Sequence, residues 1–107
     1  MDPLILTTTG DNKETLQQIA NQLVSQGLAA CVQVGGPVES TYLWEGKIEV
    51  GSEWQCVIKT SKQRYQEVEK LILDQHNYDN PQLIGVEVVR IAPKYKQWLT
   101  ENIGVDE

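Results

Sequence analysis

The fold is decided by residues 38–50, VESTYLWEGKIEV. At its centre lies Glu45-Gly46, a pair with glycine second that is typical of a two-residue β-hairpin turn. Before this pair the side chains alternate with a period of two, and after it Lys47 and Ile48 begin a return strand. The stretch therefore predicts a long hairpin in which Trp44 lies opposite Lys47.

The same strand extends upstream. Residues 28–34, LAACVQV, are apolar on both faces, as in a strand covered on both sides. Gly35-Gly36-Pro37 then interrupts the run, and we interpret these residues as a bulge within one long strand. The strand pattern of the return strand weakens at Gly51-Ser52 and then continues to Thr60. Counting back from the turn predicts that Cys31 lies opposite Thr60.

Helices and shorter strands flank the hairpin. Residues 4–9, LILTTT, predict a first strand because they are rich in β-branched residues. Asp11 and Glu14 resemble a capping box for a first helix, and Gly27 suits its C-terminal end. Ser61 is predicted to cap a second helix.

Residues 83–91 predict a last strand, and Pro93 begins a terminal helix. The apolar residues that recur at helical spacing in the three helices are, in order, Leu16, Ile19, Ala20, Leu23 and Val24; Tyr65, Val68, Leu71 and Ile72; and Tyr95, Trp98, Leu99 and Ile103. The order β-α-β-β-α-β plus a helix predicts an α+β, ferredoxin-like sandwich. The 107 residues suit one domain, 1–107.

In this fold both main helices cover one face of the sheet, and the other face stays bare. The predicted strands carry apolar residues on that face too, and monomers seldom expose so large an apolar surface. We therefore expect a homo-oligomer in which the hairpin reaches a neighbouring copy. Tyr42, Trp44 and Trp54 all lie on the hairpin and are expected to anchor the core or this interface.

Charge limits the partners. The net charge is −6 and the nine basic residues are scattered, which argues against binding to nucleic acid or to an anionic membrane surface. A cation is the partner that this charge least opposes. No run of ~18 apolar residues predicts a membrane span. Met1-Asp2-Pro3 lacks the basic and apolar regions of a signal peptide, so we expect a cytoplasmic protein.

The sequence contains none of the common catalytic motifs, and we expect no enzymatic activity. His76 is the only histidine and is either the end of the second helix or a metal ligand. Cys31 and Cys56 are either small buried apolar residues or thiolate ligands, and the predicted register sets them too far apart for a disulfide.

Lys59 and Glu87 lie inside apolar predicted strands, where an unpaired charge costs several kcal/mol. They are expected to pair with each other or to line a cleft. Thr8 belongs to residues 7–10, TTTG, which precede a helix N-terminus and either bind an anion there or serve only as a cap. Four hairpin carboxylates are either solvated or part of a cation patch, with the first on the opposite face from the last two: Glu39, Glu45, Glu49 and Glu53.

Several of these segments together resemble the CutA divalent-cation tolerance family. They are LAACV at 28–32, GPVESTYLWEGKIE at 36–49, EW at 53–54, IKT at 58–60 and the spaced motif His76-x-Tyr78-x-x-Pro81. The resemblance implies a trimer of ferredoxin-like protomers, similar in architecture to PII signalling proteins and very stable in many members. It also implies a link to tolerance of copper and other divalent metals.

Some members of that family look able to bind copper through a first-strand cysteine and a histidine that ends the second helix. His76 matches the histidine, whereas LTT at residues 6–8 occupies the place of the cysteine and Gln75 that of a second histidine. One hypothesis is therefore a metal-associated homotrimer that binds copper or another divalent cation. The alternative is a PII-like sensor or scaffold that binds a small ligand or a partner protein in clefts between subunits, with Lys59, Glu87 and Thr8 as candidates.

Overall fold

The computed structural model describes residues 1–104 and is built on four strands: β1 (Pro3–Gly10), β2 (Cys31–Trp44), β3 (Lys47–Ser61) and β4 (Ile84–Glu87). They form one antiparallel sheet in the order β2-β3-β1-β4. The helices are α1 (Lys13–Ser25), α2 (Tyr65–Gln75) and α3 (Pro93–Asn102). The predicted ferredoxin-like βαββαβ arrangement with a C-terminal helix is confirmed. The predicted domain runs to residue 107, and its last three residues lie outside the described ones.

The core lies between the sheet and helices α1 and α2. Alternate residues of β1 and β3 point into it, so Leu6 and Ile58 are fully buried. Helices α1 and α2 contribute the apolar residues predicted for them, with one exception: Val24 of α1 is 45% exposed. Among the described residues, no helix has the length and apolar character needed to cross a membrane.

The first two helices, α1 and α2, begin differently from the prediction. Asn12, and not Asp11, caps α1, because its Oδ1 accepts the Thr15 N–H at 3.1 Å. Ser61 makes no capping hydrogen bond in the described structure, since it is still paired with Pro3 as the end of β3. A 3₁₀ turn at Lys62–Arg64 intervenes before α2 begins.

The hairpin turn is confirmed. Trp44 pairs with Lys47, and both turn residues have positive φ, 49° at Glu45 and 78° at Gly46. The pairing of Cys31 with Thr60 was wrong: Cys31 lies opposite Lys59. The predicted bulge causes this difference, because β2 contains one more residue than β3 between the Gly35 pair and the Val38 pair.

Strand β4 is much shorter than the predicted 83–91. Its four residues pair with Leu4–Thr7 of β1 and are all exposed. Because Glu87 pairs with Leu4 and β1 begins at Pro3, the residues after Val88 have no neighbouring strand to pair with. Apolar composition alone therefore overestimated the length of this strand.

Helix α3 covers one end of the sheet. Leu99, together with Ile103 just beyond the helix, packs against Ala30 and Met1. Tyr95 and Trp98 stack on each other, with 5.6 Å between ring centroids, but remain 40% and 42% exposed. Of the four apolar residues predicted to share one side of this helix, only Leu99 and Ile103 are therefore buried.

Beyond the Gly10–Trp54 pair, no part of β1 accompanies the hairpin. We call residues 38–53, which project past this point, the hairpin arm. The arm exposes five large apolar side chains: Tyr42, Leu43, Trp44, Ile48 and Val50. It gives the molecule an elongated outline of 46 × 27 × 21 Å.

Candidate functional site

The candidate site lies where α2 ends beside the last residues of β1. His76 follows the helix, and its backbone N–H donates to the Ile72 carbonyl at 2.8 Å. The residue is 8% exposed, and both nitrogens of its ring have partners. Nδ1 accepts the Tyr78 N–H at 3.0 Å, and Nε2 lies 2.7 Å from the Thr9 carbonyl oxygen. A backbone N–H can only donate and a carbonyl can only accept, so the ring is the neutral tautomer with its proton on Nε2.

The absence of a side chain at Gly10 allows this close approach. A Cβ at Gly10 would lie 3.2 Å from both Cε1 and Nε2 of His76, closer than such contacts normally are. The ring therefore packs directly against the backbone at the end of β1, which explains its burial.

Residues 76–82 are fixed to this end of the sheet by further hydrogen bonds. Asn77 donates to Asp11 at 2.8 Å, and Gln82 accepts from the Thr9 hydroxyl at 3.4 Å. The Tyr78 hydroxyl donates to Glu53 at 2.9 Å, at the base of the hairpin arm. Burial, followed by this hydrogen bond to a carboxylate, raises the pKa of Tyr78 well above its usual value.

These residues do not fit a metal ion. A metal ligand must offer a lone pair, and the one free lone pair of His76 accepts the Tyr78 N–H. Two carboxylates that contact this segment, Asp11 and Glu53, are already hydrogen-bonded to Asn77 and Tyr78. Within residues 1–104, no group of three or more His, Cys, Asp or Glu side chains is placed to hold a metal ion.

The predicted cleft residues are not brought together. Lys59 donates to Gln33, whereas Glu87 accepts from Lys62 at 2.8 Å, so the expected pairing of Lys59 with Glu87 is wrong. Lys59 lies opposite Ile5 on the face away from the helices, and Glu87 lies opposite the core residue Leu4 at the edge of the sheet. Sequence composition could not show that Glu87 lies on an exposed edge strand, where no buried partner is needed.

Thr8 is fully buried on the core side of β1, beneath the helices. It is therefore inaccessible to an anion in the folded chain. Its hydroxyl is a buried polar group with no hydrogen-bond partner in the described structure.

The cysteines occupy different environments. Cys56 is fully buried, and burial raises the pKa of its thiol from 9.0 to about 12, as expected for a small core residue. Cys31 is half-buried, and both thiols are free. The expectation that the two cysteines form no disulfide is confirmed.

The three hairpin aromatics are not equivalent. Tyr42 and Trp44 are exposed on the hairpin arm, whereas Trp54 packs against the core. The Lys13 ammonium lies 4.6 Å from the centroid of the Trp54 ring, a cation–π contact. Of the three hairpin aromatics, only Tyr42 and Trp44 are thus exposed in the single chain and available to an interface.

The acidic residues of the arm do not form one patch. Glu39 pairs with Ser52, whereas Glu49 pairs with Tyr42 and Glu53 with Val38. The predicted separation of Glu39 from Glu49 and Glu53 onto opposite faces is confirmed, because paired residues share a face and neighbours alternate.

The contact of Tyr78 with Glu53 could not be found from the sequence, because 25 residues separate the two. The same holds for Arg64, a buried arginine whose Nε donates to the Gly104 carbonyl at 2.7 Å. Hydrogen bonds of this kind follow from tertiary packing, and neither Tyr78 nor Arg64 stands out in the sequence by spacing or by residue type.

Comparison with known proteins gives a consistent result. The chain matches the family described as CutA1 divalent ion tolerance protein over residues 4–102. Protein CutA, chloroplastic, of Arabidopsis thaliana is 33% identical over 99 residues, which are 92% of this chain and 54% of that protein. The divalent-cation tolerance protein CutA of Pectobacterium atrosepticum is 33% identical over 102 residues, 95% of this chain and 93% of that protein. The chain thus spans about half the length of its two plant relatives.

Solved structures show the same fold. Crystal structures of CutA1 from Oryza sativa and of CutA from Xylella fastidiosa superpose with TM-scores of 0.94 and 0.92. Their sequences are 29% and 32% identical to this chain. The first match covers 99% of this chain and 97% of the other, and the second covers 97% and 100%.

Proposed function

Because this chain belongs to the CutA1 divalent ion tolerance family, we propose that it acts in divalent-cation tolerance as a homotrimer and catalyses no reaction. The family is named for a tolerance to ions and not for a reaction. Copper is the cation we propose, from the resemblance of the sequence to members with a copper link. The ligands for it would have to come from more than one copy, because residues 1–104 of one chain contain no suitable cluster.

The exposed hairpin arm is the observation that carries the proposal. Leu43 and Ile48 pair across the hairpin, yet they are 73% and 75% exposed in the single chain. Val50 lies on the same face and is also exposed. Burying one such side chain against a neighbour contributes ~1.5–3 kcal/mol, and three copies would bury three arms.

The bare face of the sheet supports the same assembly. Ile84 and Val86 of β4 are exposed there, beside the half-buried Ile5 and Val57 of the two central strands. Neighbouring copies would cover this face and the arm together, as expected for a chain whose apolar surface exceeds what its own helices cover.

Sedimentation velocity at micromolar concentration tests the assembly. We expect a trimer for the unmodified chain and dissociation for Ile48→Glu, which would place a charge in the interface. Leu73→Glu is the matched control, because Leu73 is a 51% exposed apolar residue on α2, outside the arm. A monomeric unmodified chain, or equal effects of both substitutions, would contradict the proposal.

Complementation tests the role in tolerance. In a host strain that lacks its own family member, expression of the unmodified chain or of Leu73→Glu should restore growth in the presence of excess Cu²⁺. Ile48→Glu should not, if the assembly is the active form. Growth that no form of the chain restores would argue against the proposed role.

Lys59 favours a second candidate, a PII-like trimer that binds a small anion between subunits. Its ammonium lies on the bare face and, within residues 1–104, contacts only the uncharged Gln33. A ligand that binds the folded trimer should raise its melting temperature in a screen of anionic metabolites, and Lys59→Gln should abolish the rise. No rise with any metabolite would remove this candidate.

A further inference from the structure

A continuous series of hydrogen bonds leads from the end of β1 to the hairpin arm. It runs from the Thr9 carbonyl to the His76 ring, from that ring to the Tyr78 N–H, and from the Tyr78 hydroxyl to Glu53. The two rings also lie against each other, with 4.8 Å between their centroids. These contacts join three elements that are distant in sequence.

We infer that His76 positions the hairpin arm through Tyr78 and is not a ligand for divalent cations. The importance of the arm for assembly rests on the proposed function, whereas the role of the ring rests on its hydrogen bonds alone. This inference departs from the copper site that the family resemblance implies for His76.

Binding of a metal at either ring nitrogen would disrupt the series. At Nδ1 it would displace the Tyr78 N–H, and at Nε2 it would remove the proton that binds the Thr9 carbonyl. In both cases a buried or partly buried backbone group would lose its partner, which opposes ligation. The ring edge that carries Cε1 and Nε2 faces the backbone at Gly10, where an added Cβ would lie 3.2 Å from both atoms.

The position of Glu53 explains how the ring acts on the arm. Glu53 pairs with Val38 at the first rung beyond the bulge, where the arm leaves the support of β1. Tyr78 holds this rung by a hydrogen bond to a carboxylate, which is stronger than one between neutral groups. His76 fixes the backbone of Tyr78 and so directs its ring toward the arm.

Nuclear magnetic resonance tests the first half of the inference, because the chain has a single histidine. Two-bond ¹H–¹⁵N spectra of the full chain should show the tautomer protonated on Nε2. Stoichiometric Zn²⁺ should leave both ring nitrogen shifts unchanged, and Cu²⁺ should not broaden them selectively. A nitrogen shift with Zn²⁺, or selective broadening with Cu²⁺, would overturn the assignment.

Hydrogen–deuterium exchange tests the second half. Tyr78→Phe should speed exchange in residues 38–53 by ~10-fold, the factor expected from loss of one hydrogen bond to a charged group, with α1 unaffected. His76→Phe should have the same effect, and the double variant should add little more, because both act in one series. His76→Gln, whose amide can both donate and accept, should restore part of the protection.

Tyr95→Phe is the matched control, since Tyr95 is an exposed tyrosine on α3 away from the arm. If Tyr78→Phe left exchange in the hairpin arm unchanged, or if the two substitutions had fully additive effects in the double variant, the positioning role would be overturned. Failure of the proposed function is distinguishable from this outcome. It would appear as a monomeric unmodified chain, whereas the exchange comparison applies to a monomer and a trimer alike.

Discussion

Thr8 lies directly opposite Cys56 across β1 and β3, and both side chains are fully buried beneath the helices. The Thr8 hydroxyl is mismatched with this apolar environment, whereas the Cys56 thiol suits it only while it stays protonated. The Thr8 hydroxyl has no hydrogen-bond partner among residues 1–104, and burial raises the pKa of the Cys56 thiol to about 12. Two predictions follow from these two side chains, one for each.

Replacing Thr8 by valine should leave the free energy of unfolding unchanged or raise it by about 1 kcal/mol. Valine has nearly the same shape, and it removes a buried hydroxyl that is paired only in the unfolded chain. Urea unfolding measures the change. The matched control is Thr60→Val, because Thr60 is equally buried but donates to the Leu28 carbonyl at 2.6 Å.

Thr60→Val should lower the free energy of unfolding by ~1–3 kcal/mol, since it leaves a buried carbonyl without its partner. Equal losses in both variants would show that the Thr8 hydroxyl has a stabilising partner in the assembled protein.

Cys56 should make stability depend on alkaline pH. Its thiol pKa is 9.0 in an unperturbed state and about 12 in the folded chain, so above pH 9 the unfolded chain releases a proton that the folded chain retains. The stabilising contribution is therefore complete below pH 9 and is lost as the pH rises toward 12. Guanidinium unfolding between pH 8 and 11 should show a shallower decline for Cys56→Val than for the unmodified chain. The tyrosines also titrate in this pH range, but they are the same in both proteins and cancel in the comparison. Identical declines of stability with pH would therefore contradict the raised pKa of Cys56.

The order of elements could be predicted from the sequence because each depends on local patterns. The turn at Glu45-Gly46 and the helical spacing of Leu16, Ile19 and Leu23 have local causes, and the structure confirms them. The pairing of Cys31 could not be predicted to the residue, because alternation shows that a bulge exists but not how many residues it adds.

The candidate site was much less accessible from the sequence. His76 stands out as the only histidine, but its partner Thr9 is 67 residues away and contributes a backbone carbonyl. Every residue has such a carbonyl, so composition carries no signal for it. The predicted pairing of Glu87 with Lys59 was wrong for a related reason. The apolar neighbours of Glu87 suggested that it is buried, whereas β4 is an exposed edge strand.

Replacing Glu45 by asparagine should stabilise the hairpin. Glu45 has a φ of 49°, a left-handed conformation that costs most residues ~1 kcal/mol or more, whereas asparagine adopts it readily. We expect a gain of about 1 kcal/mol in thermal or urea unfolding. Glu49→Asn, in the extended part of the arm, is the control and should give no gain. A gain in both variants would point to charge removal as the cause.

Replacing Gly10 by alanine should destabilise the end of β1 by ~1–3 kcal/mol, because the new Cβ would crowd the His76 ring at 3.2 Å. The hydrogen bond from Nε2 to the Thr9 carbonyl should lengthen, which the ring nitrogen shifts would report. Gly35→Ala provides the comparison, since a Cβ there would have no heavy atom within 4 Å. Urea midpoints that fall equally in both variants would exclude crowding of the ring as the cause.

The bulge between Gly35 and Val38 has a consequence for how this chain tolerates insertions and deletions. The one unmatched residue on β2 sets the register of the base of that strand, so that Cys31 lies opposite Lys59, whereas the turn at Glu45-Gly46 sets the pairs of the arm. Removing that residue would shift the base of β2 by one position against β3, so that its inward-facing and outward-facing side chains would exchange sides. Length variation among homologues should therefore be rare at this point and freer in the segment between β4 and α3, which belongs to no strand or helix.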